Sequence, residues 1–281
     1  MVFEKKVFIF GASGFVGRSL YDYLDINDKY SVGRVNCDIH ADLSLSDFDE
    51  LYSAVKKGDM VVFLAAVSAP DECEKNYELS YEINVTNTVR LIRLLISKGV
   101  RVLFSSSDAV FGATNSLCFE SSRKHPFGRY GEMKSEVEDC FKDDSNFFSI
   151  RFSYVISEND KFSKMVKSAA NSKENIDVFD GFERNVIALD DVLLGIKNII
   201  TDWDHIDTRI VNFSGEKLVS RQDLVKELTI QKYPNLVYSF TAAPDNFWSS
   251  RSKIINTESK YLEAILGRPM KSYKECIKEY S

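Results

Sequence analysis

An α/β fold, a doubly wound parallel sheet with a smaller C-terminal lobe, is what the sequence predicts, on three observations. Residues 7–10 (VFIF), 59–66 (DMVVFLAA), 100–105 (VRVLFS) and 147–151 (FFSIR) are short apolar-rich runs. Strands buried on both faces of a parallel sheet read this way. Segments with apolar residues at helical spacing alternate with these runs, and such alternation builds parallel strands joined by right-handed helical crossovers. Between the first run and the first helix stand three glycines, Gly11, Gly14 and Gly17.

Taken in order, the first strand feeds the glycine segment, behind which Leu20 and Leu24 open a helix. Residues 29–34 (KYSVGR) read as a more polar second strand. After Asp42-Leu43, the residues Leu45, Phe48, Leu51 and Val55 form the apolar face of a second helix. The strand over 59–66 leads through a loop with Pro70 and Asp71 into a long helix over 81–98. Ile83, Val85, Val89, Ile92, Leu95 and Ile96 fall at helical spacing there, and Gly99 ends it. Strand 100–105, helix 130–141 and strand 147–151 complete the regular alternation. Beyond Val155 the rhythm loosens, with helices expected over 162–170, 190–200 and 221–228 and near Tyr273, and extended segments at 184–189 and 209–213. Phe240, Phe247 and Trp248 read as core of the lobe.

The chain has 281 residues, long enough for a large core. Hydrophobic residues make up 44%, charged residues 28%, and the formal net charge is −6. That balance offers no electrostatic footprint for nucleic acid or an anionic membrane, so an anionic ligand must meet local donors. No run reaches the length of a membrane span, and residue 1 leads straight into the first strand, leaving no room for a signal peptide. Cys37, Cys73, Cys118, Cys140 and Cys276 form no C-x-x-C pair, and His40, His125 and His205 lack ligand spacing. No metal is expected, and a reduced, cytoplasmic setting is.

Each glycine of the trio has a physical task. Gly11 permits the tight strand-to-helix turn, Gly14 lets a pyrophosphate approach backbone, and Gly17 lets the helix press on the strand. The free N–H groups and dipole of the helix start would hold the phosphates. This is the arrangement of a dinucleotide site on a Rossmann sheet. Tyr130 and Lys134 lie four apart on one helical face. A free phenol titrates near pH ~10. A neighbouring ammonium, helped by a cationic nicotinamide, favours phenolate and brings the group into range for proton exchange. A serine hydroxyl from the run over 105–112 (SSSDAVFG) can hydrogen-bond a substrate oxygen as charge develops there.

In this order, the glycine trio, Ser105-Ser106-Ser107 before Val110-Phe111-Gly112, and Tyr130-x-x-x-Lys134 resemble the extended short-chain dehydrogenase/reductases, which are NAD(P)-dependent nucleotide-sugar epimerases, dehydratases and reductases. Leu64-Ala65-Ala66 resembles the segment under the cofactor, Asn84-Val85 with Thr88 the Asn-Val-x-x-Thr helix start, and Arg184 to Val192 the substrate-lobe signature. The resemblance implies Ser107, Tyr130 and Lys134 as the catalytic set, with Lys134 also holding the nicotinamide ribose. It implies a cofactor site of Gly11, Ser13, Gly14, Phe15 and Val16, of Asp42 and Leu43 at the adenine, and of Leu64, Ala65, Ala66 and Asn84. Ser105, Tyr130, Lys134, Tyr154 and Val155 complete it near the nicotinamide. Val67, Ser107, Asp108, Ala109, Tyr130 and Tyr154 would meet the nucleotide sugar, with Arg184 and Arg251 facing its diphosphate.

Asp108 is followed by Ala109, where the resembling 4,6-dehydratases carry glutamate and the GDP-fucose synthases cysteine, so neither of those chemistries is implied. Residues 106–111 are most similar to the Ser-Thr-Asp-Tyr-Val-Phe of dTDP-4-dehydrorhamnose reductases, and Ile255-Asn256-Thr257-Glu258 to their C-terminal segment. Ala109 in place of tyrosine, and an epimerase-like 184–192 segment, depart from that pattern. The implied function is NADPH-dependent reduction of the C4 ketone of a nucleotide-linked 4-keto-6-deoxy sugar. An NAD-dependent nucleotide-sugar 4-epimerase and a non-catalytic NAD(P)-binding regulator are the alternatives. The second strand ends in Gly33-Arg34-Val35 with no acid before Asp38. Arg34 can fork onto a 2′-phosphate, so NADP(H) is expected over NAD(H). A homodimer pairing helices 81–98 and 130–141 across a two-fold is also implied. Residues 1–155 with about 186–213 are expected to form the dinucleotide-binding domain, and 156–185 with 214–281 the substrate-binding lobe.

Overall fold

The computed structural model describes residues 5–280; residues 1–4 and 281, the outer ends of the two expected domains and the segment ahead of the first strand, lie outside it. Seven parallel strands form the main sheet in the order Ile210–Phe213, Phe147–Phe152, Arg101–Ser107, Met60–Phe63, Val7–Phe10, Lys29–Gly33, Ile39–His40. Val7–Phe10 and Met60–Phe63 are buried at every residue, as their unbroken apolar sequence requires. Successive side chains alternate between the two faces. Phe8, Phe10, Val61 and Phe63 therefore pack with helices Thr88–Ser97 and Gly128–Phe141 in one layer, while Val7, Ile9, Met60 and Val62 pack with Leu20 and helix Leu189–Asp202 in the other. The chain runs outward in both directions from the pair Val7–Phe10 and Met60–Phe63, so the topological switch point, where open α/β sheets bind ligands, lies at their carboxyl ends.

A second sheet, in the order Leu218–Ser220, Glu183–Asn185, Ile254–Thr257, Thr114–Cys118, lies beyond that switch point in the chain. Helices Lys161–Ser172, Arg221–Gln231 and Tyr273–Lys278 share a separate core of Phe162, Val166, Leu224, Val225, Leu228 and Ile277. No helix among the described residues is long and apolar enough to cross a membrane.

Several expectations need correction. The helix assigned to Leu45–Val55 spans only Asp49–Ala54. Asp42 and Asp47 exchange backbone hydrogen bonds of 2.8 and 3.0 Å, closing a loop that turns Leu45 outward to 75% exposure. Pro70 and Asp71 do not lie in a loop but open a helix, Pro70–Lys75, where proline suits the first position because its missing N–H has no partner there anyway. The long helix is broken by a π-helical segment, Glu82–Asn87, between Tyr77–Tyr81 and Thr88–Ser97. The strands Thr114–Cys118, Asn175–Phe179 and Val237–Thr241 went unread because they are half polar and lack a strict alternation.

Two local contacts set the geometry at the switch point. Gly11 has φ +95°, a left-handed conformation that a side chain would strain, and a Cβ built on Gly17 would lie 2.2 Å from the Gly11 carbonyl oxygen. On the far side of the sheet, buried Glu138 takes Arg151 Nε at 2.9 Å, Arg151 Nη2 at 2.7 Å and Ser149 Oγ at 3.0 Å, fixing helix Gly128–Phe141 against strand Phe147–Phe152. Gly17→Ala is expected to cost about 1–3 kcal/mol through overpacking, near ~2–4 °C of midpoint for each kcal/mol. Calorimetric unfolding checks it, and a midpoint within about a degree of wild type would contradict the close approach.

Candidate active site

A cleft of about 540 Å³ opens at the switch point. Gly11, Ser13, Gly14, Phe15 and Val16 form one side, Leu64, Ala65, Ala66 and Val67 another, and Arg34, Asp42 and Leu43 the far end. Asp42 is the one acid among its described lining residues, and its carboxylate is taken up by Ser44, accepting from N at 2.8 Å and Oγ at 2.7 Å. Asp38 instead accepts from Ser31 N at 2.8 Å and Oγ at 2.7 Å, which holds its carboxyl below the usual range. Arg34 is exposed at this end.

Strand Arg101–Ser107 ends in Ser105, Ser106 and Ser107, and helix Gly128–Phe141 runs past it carrying Tyr130 and Lys134. Lys134, 2% exposed, donates from Nζ to the Ser105 carbonyl at 2.7 Å and lies over the Phe104 ring at 4.5 Å. Burial pushes its ammonium down to about 8. Lys134 Nζ stands 5.8 Å from the Tyr130 ring centroid. Burial, reinforced by Cys73 and Asp108, pushes the Tyr130 phenol well above its ordinary value. The expectation that Lys134 acidifies Tyr130 is therefore corrected for the protein without cofactor: loss of hydration outweighs the cation, whose proton is directed at a carbonyl.

Ser107 and Tyr130 line this cleft and also a second one of about 350 Å³. The second cleft is bounded by Asp108, Ala109, Tyr154, Phe182, Phe247 and the arginines Arg184, Arg221 and Arg251. Ser107 Oγ accepts from Ala109 N at 3.2 Å and donates to Asp108 Oδ1 at 3.2 Å. Asp108 is buried, which raises its carboxyl against the opposing pull of Arg184, whose Nε lies 3.5 Å away. Two hydroxyls at the junction of a long cleft and a smaller polar pocket can hold a carbonyl oxygen and deliver a proton to it.

Five expected site residues sit elsewhere or are otherwise engaged. Asn84 lies behind the wall, where its side chain exchanges bonds with Val67 N at 2.8 Å and Val67 O at 2.9 Å; it positions the cleft and does not line it. Val155 pairs with Ile187 in a two-residue strand and lines neither cleft. Tyr154 lines only the second cleft, its hydroxyl donating to Asp160 Oδ1 at 2.7 Å. Arg184 gives Nη1 to the Glu183 and Lys253 carbonyls at 2.7 and 3.0 Å and Nη2 to the Ser252 carbonyl at 2.8 Å, which leaves it little for a diphosphate. Arg251 reaches the second cleft but pairs with Asp71 at 2.7 Å. Phe247, read as core, faces the second cleft, as do Phe182, Ser153 and Arg221. The sequence carries no motif around Arg221 beyond a Ser220-x-x-Asp223 capping box, which marks a helix start and nothing more.

Residues 5–280 match the RmlD substrate binding domain family. A dTDP-4-dehydrorhamnose reductase of Aggregatibacter actinomycetemcomitans is 26% identical over 226 residues, 78% of this chain and 76% of that protein. The methionine adenosyltransferase 2 subunit beta of Xenopus laevis is 28% identical over 145 residues, 48% of this chain and 42% of that protein, so the match takes in less than half of that relative. Among solved structures, the dTDP-4-dehydrorhamnose reductase from Bacillus anthracis in complex with NADP has a TM-score of 0.84 at 19% identity, covering 99% of this chain and 98% of that one. At that identity the likeness is one of fold.

Lys134 gives a pH test. Its folded pKa is depressed to about 8 from an ordinary 10.5, so between these values the unfolded chain binds more protons and stability rises with pH. Relative to Lys134→Met, the wild type should gain about 2–3 kcal/mol between pH ~7 and ~10. Urea unfolding of both proteins across that range measures it, and a stability difference independent of pH would contradict the assignment.

Proposed function

This chain belongs to the RmlD substrate binding domain family, and on that premise we propose that it uses NADPH to reduce the C4 ketone of a nucleotide-linked 4-keto-6-deoxy sugar. The observation that carries this reading is the placement of Tyr130 and Ser107 on a wall common to both clefts. Two similar proteins named as dTDP-4-dehydrorhamnose reductases, one of them solved with NADP, support it.

The larger cleft suits a dinucleotide. Its glycine turn leaves backbone open where a pyrophosphate would lie, and Arg34 stands at the end of the second strand beside Asp42, one of whose carboxylate oxygens is held by Ser44. Gly11, Ser13, Gly14, Phe15 and Val16 would hold the diphosphate, Arg34 the 2′-phosphate, Asp42 and Leu43 the adenine end, and Lys134 the ribose beside the nicotinamide. When bound, the reduced nicotinamide supplies the hydride. Ser107 holds the ketone oxygen, and Tyr130 gives its hydroxyl proton to that oxygen as it becomes an alkoxide. Burial keeps the Tyr130 proton in place at neutral pH, which suits a group that starts the reaction as an acid. Ala109 offers no acid or thiol at its own position for a further step.

Residues 5–155 with about 186–213 carry the cofactor in this reading, and the remainder the substrate. Helices Thr88–Ser97 and Gly128–Phe141, in the segments 81–98 and 130–141, would supply the face for a homodimer. A cytoplasmic setting accords with five free cysteines.

Tyr130→Phe should lose turnover by about 10²–10⁴-fold while its NADPH affinity stays within about twofold. NADPH oxidation with a panel of nucleoside-diphosphate 4-keto-6-deoxyhexoses measures the first quantity and fluorescence titration the second; near-wild-type turnover would rule out the role. Arg34→Ala should remove most of the preference for NADP over NAD, by about tenfold or more. An unaltered ratio of the two affinities would show that the 2′-phosphate is held elsewhere.

A further inference from the structure

Three arginines reach the second cleft, and two carboxylates answer them. Arg184 faces Asp108, and its Nη groups are bound by backbone carbonyls. Arg251 donates to the Phe247 carbonyl at 3.0 Å and to Asp71 at 2.7 Å. Asp71 has a side chain 65% exposed, so water or a ligand can readily replace that contact, whereas Arg251 is 15% exposed. Arg221 has neither kind of partner. Its Nε is buried without a hydrogen bond, and its guanidinium rests on rings alone, 4.5 Å from the Phe182 centroid, 5.4 Å from Phe162 and 6.0 Å from Phe247. Asp160, an acid acting on it, has its oxygens bound by Tyr154, Ser157, Phe162 and Ser163.

A partly buried guanidinium whose donors meet no anion directly is poorly satisfied. Burial and the like charge of Arg251 both push its proton affinity down. Such a site gains most from a ligand that brings oxyanions, because the fork of donors stays free to receive them. Arg251 lies over the same Phe247 ring, 4.2 Å from its centroid, so two cations are available along one edge of the cleft. At the other end, Asp108 beside Ser107 disfavours an anion next to the reacting carbon.

We propose that Arg221, together with Arg251, binds the diphosphate of the substrate, Arg221 being the cation that Arg184 was expected to supply. The identity of the ligand rests on the nucleotide-sugar reading above; the anion site itself does not. Binding draws Arg251 from Asp71 and gives Arg221 its first hydrogen-bond partners.

The test is calorimetric titration at saturating NADPH, which fills the glycine cleft and leaves the second cleft to the probe. Inorganic pyrophosphate and dTDP are titrated into wild type, Arg221→Met and Arg221→Lys. Arg221→Met keeps a stem to lie on Phe182 and should weaken both probes by about tenfold or more, with NADPH affinity held within about twofold. Arg221→Lys keeps the charge without the fork and should fall between. Unchanged pyrophosphate affinity in both variants overturns the proposal, as does a wild-type protein that binds no pyrophosphate at concentrations on the order of millimolar. Pyrophosphate bound through Arg221, with dTDP binding no tighter, supports the anion site and counts against the nucleotide-sugar reading.

Discussion

The hydrogen bond from Lys134 Nζ to the Ser105 carbonyl, 2.7 Å long and buried, is the constraint on which the site depends. It fastens helix Gly128–Phe141 to the end of the strand that carries Ser107. One turn before Lys134 stands Tyr130, and one turn after it Glu138, whose buried pairing with Arg151 locks the same helix to the next strand. Residues four apart share a helical face, so fixing two of the three fixes the third. The phenol is held at the junction of two clefts by groups that touch neither cleft's contents except through Lys134. Desolvation is the cost of that arrangement, and it appears in both titrations, with the ammonium drawn down and the phenol driven up.

Charge is arranged locally and against the overall balance. The chain carries a net charge of −6, yet Arg184, Arg221 and Arg251 converge on one cleft and Arg34 stands at the far end of the other. In the proposed reading, such a distribution would serve two anionic stretches of ligand, one at each end of a cofactor–substrate pair. Between them Ser107, Tyr130, Ala109 and Phe152 line the junction of the clefts, with Lys134 and Asp108 beside them. The proposed reduction, which would deliver a hydride to a carbonyl carbon and a proton to its oxygen, asks for little more than that.

Much of this was legible before the fold was seen, for physical reasons that can be named. Runs such as VFIF and MVVF must be buried on both faces, and the glycine trio admits few geometries, so the sheet and its switch point followed. That Ser107, Tyr130 and Lys134 share one cleft was legible because their order and spacing carry the resemblance. What escaped was the substrate side. Its strands are short and half polar, and they pair across long separations, as Thr114–Cys118 does with Ile254–Thr257. Arg184 lines the second cleft, but a motif shows a side chain's type and not that its Nη donors go to backbone carbonyls. Arg221 was missed because nothing local distinguishes it from a surface arginine. The phenol's titration was misjudged for a related reason, since spacing places a cation nearby but says nothing of the water removed around it.

The most direct test of the account is the fate of one hydrogen. With NADPH deuterated at the transferable position and a nucleoside-diphosphate 4-keto-6-deoxyhexose, the sugar product should carry deuterium at C4, read by mass spectrometry and proton NMR. A protein that binds NADPH yet returns every such keto sugar unlabelled and unchanged would contradict it, and would leave a dinucleotide-binding fold with another task.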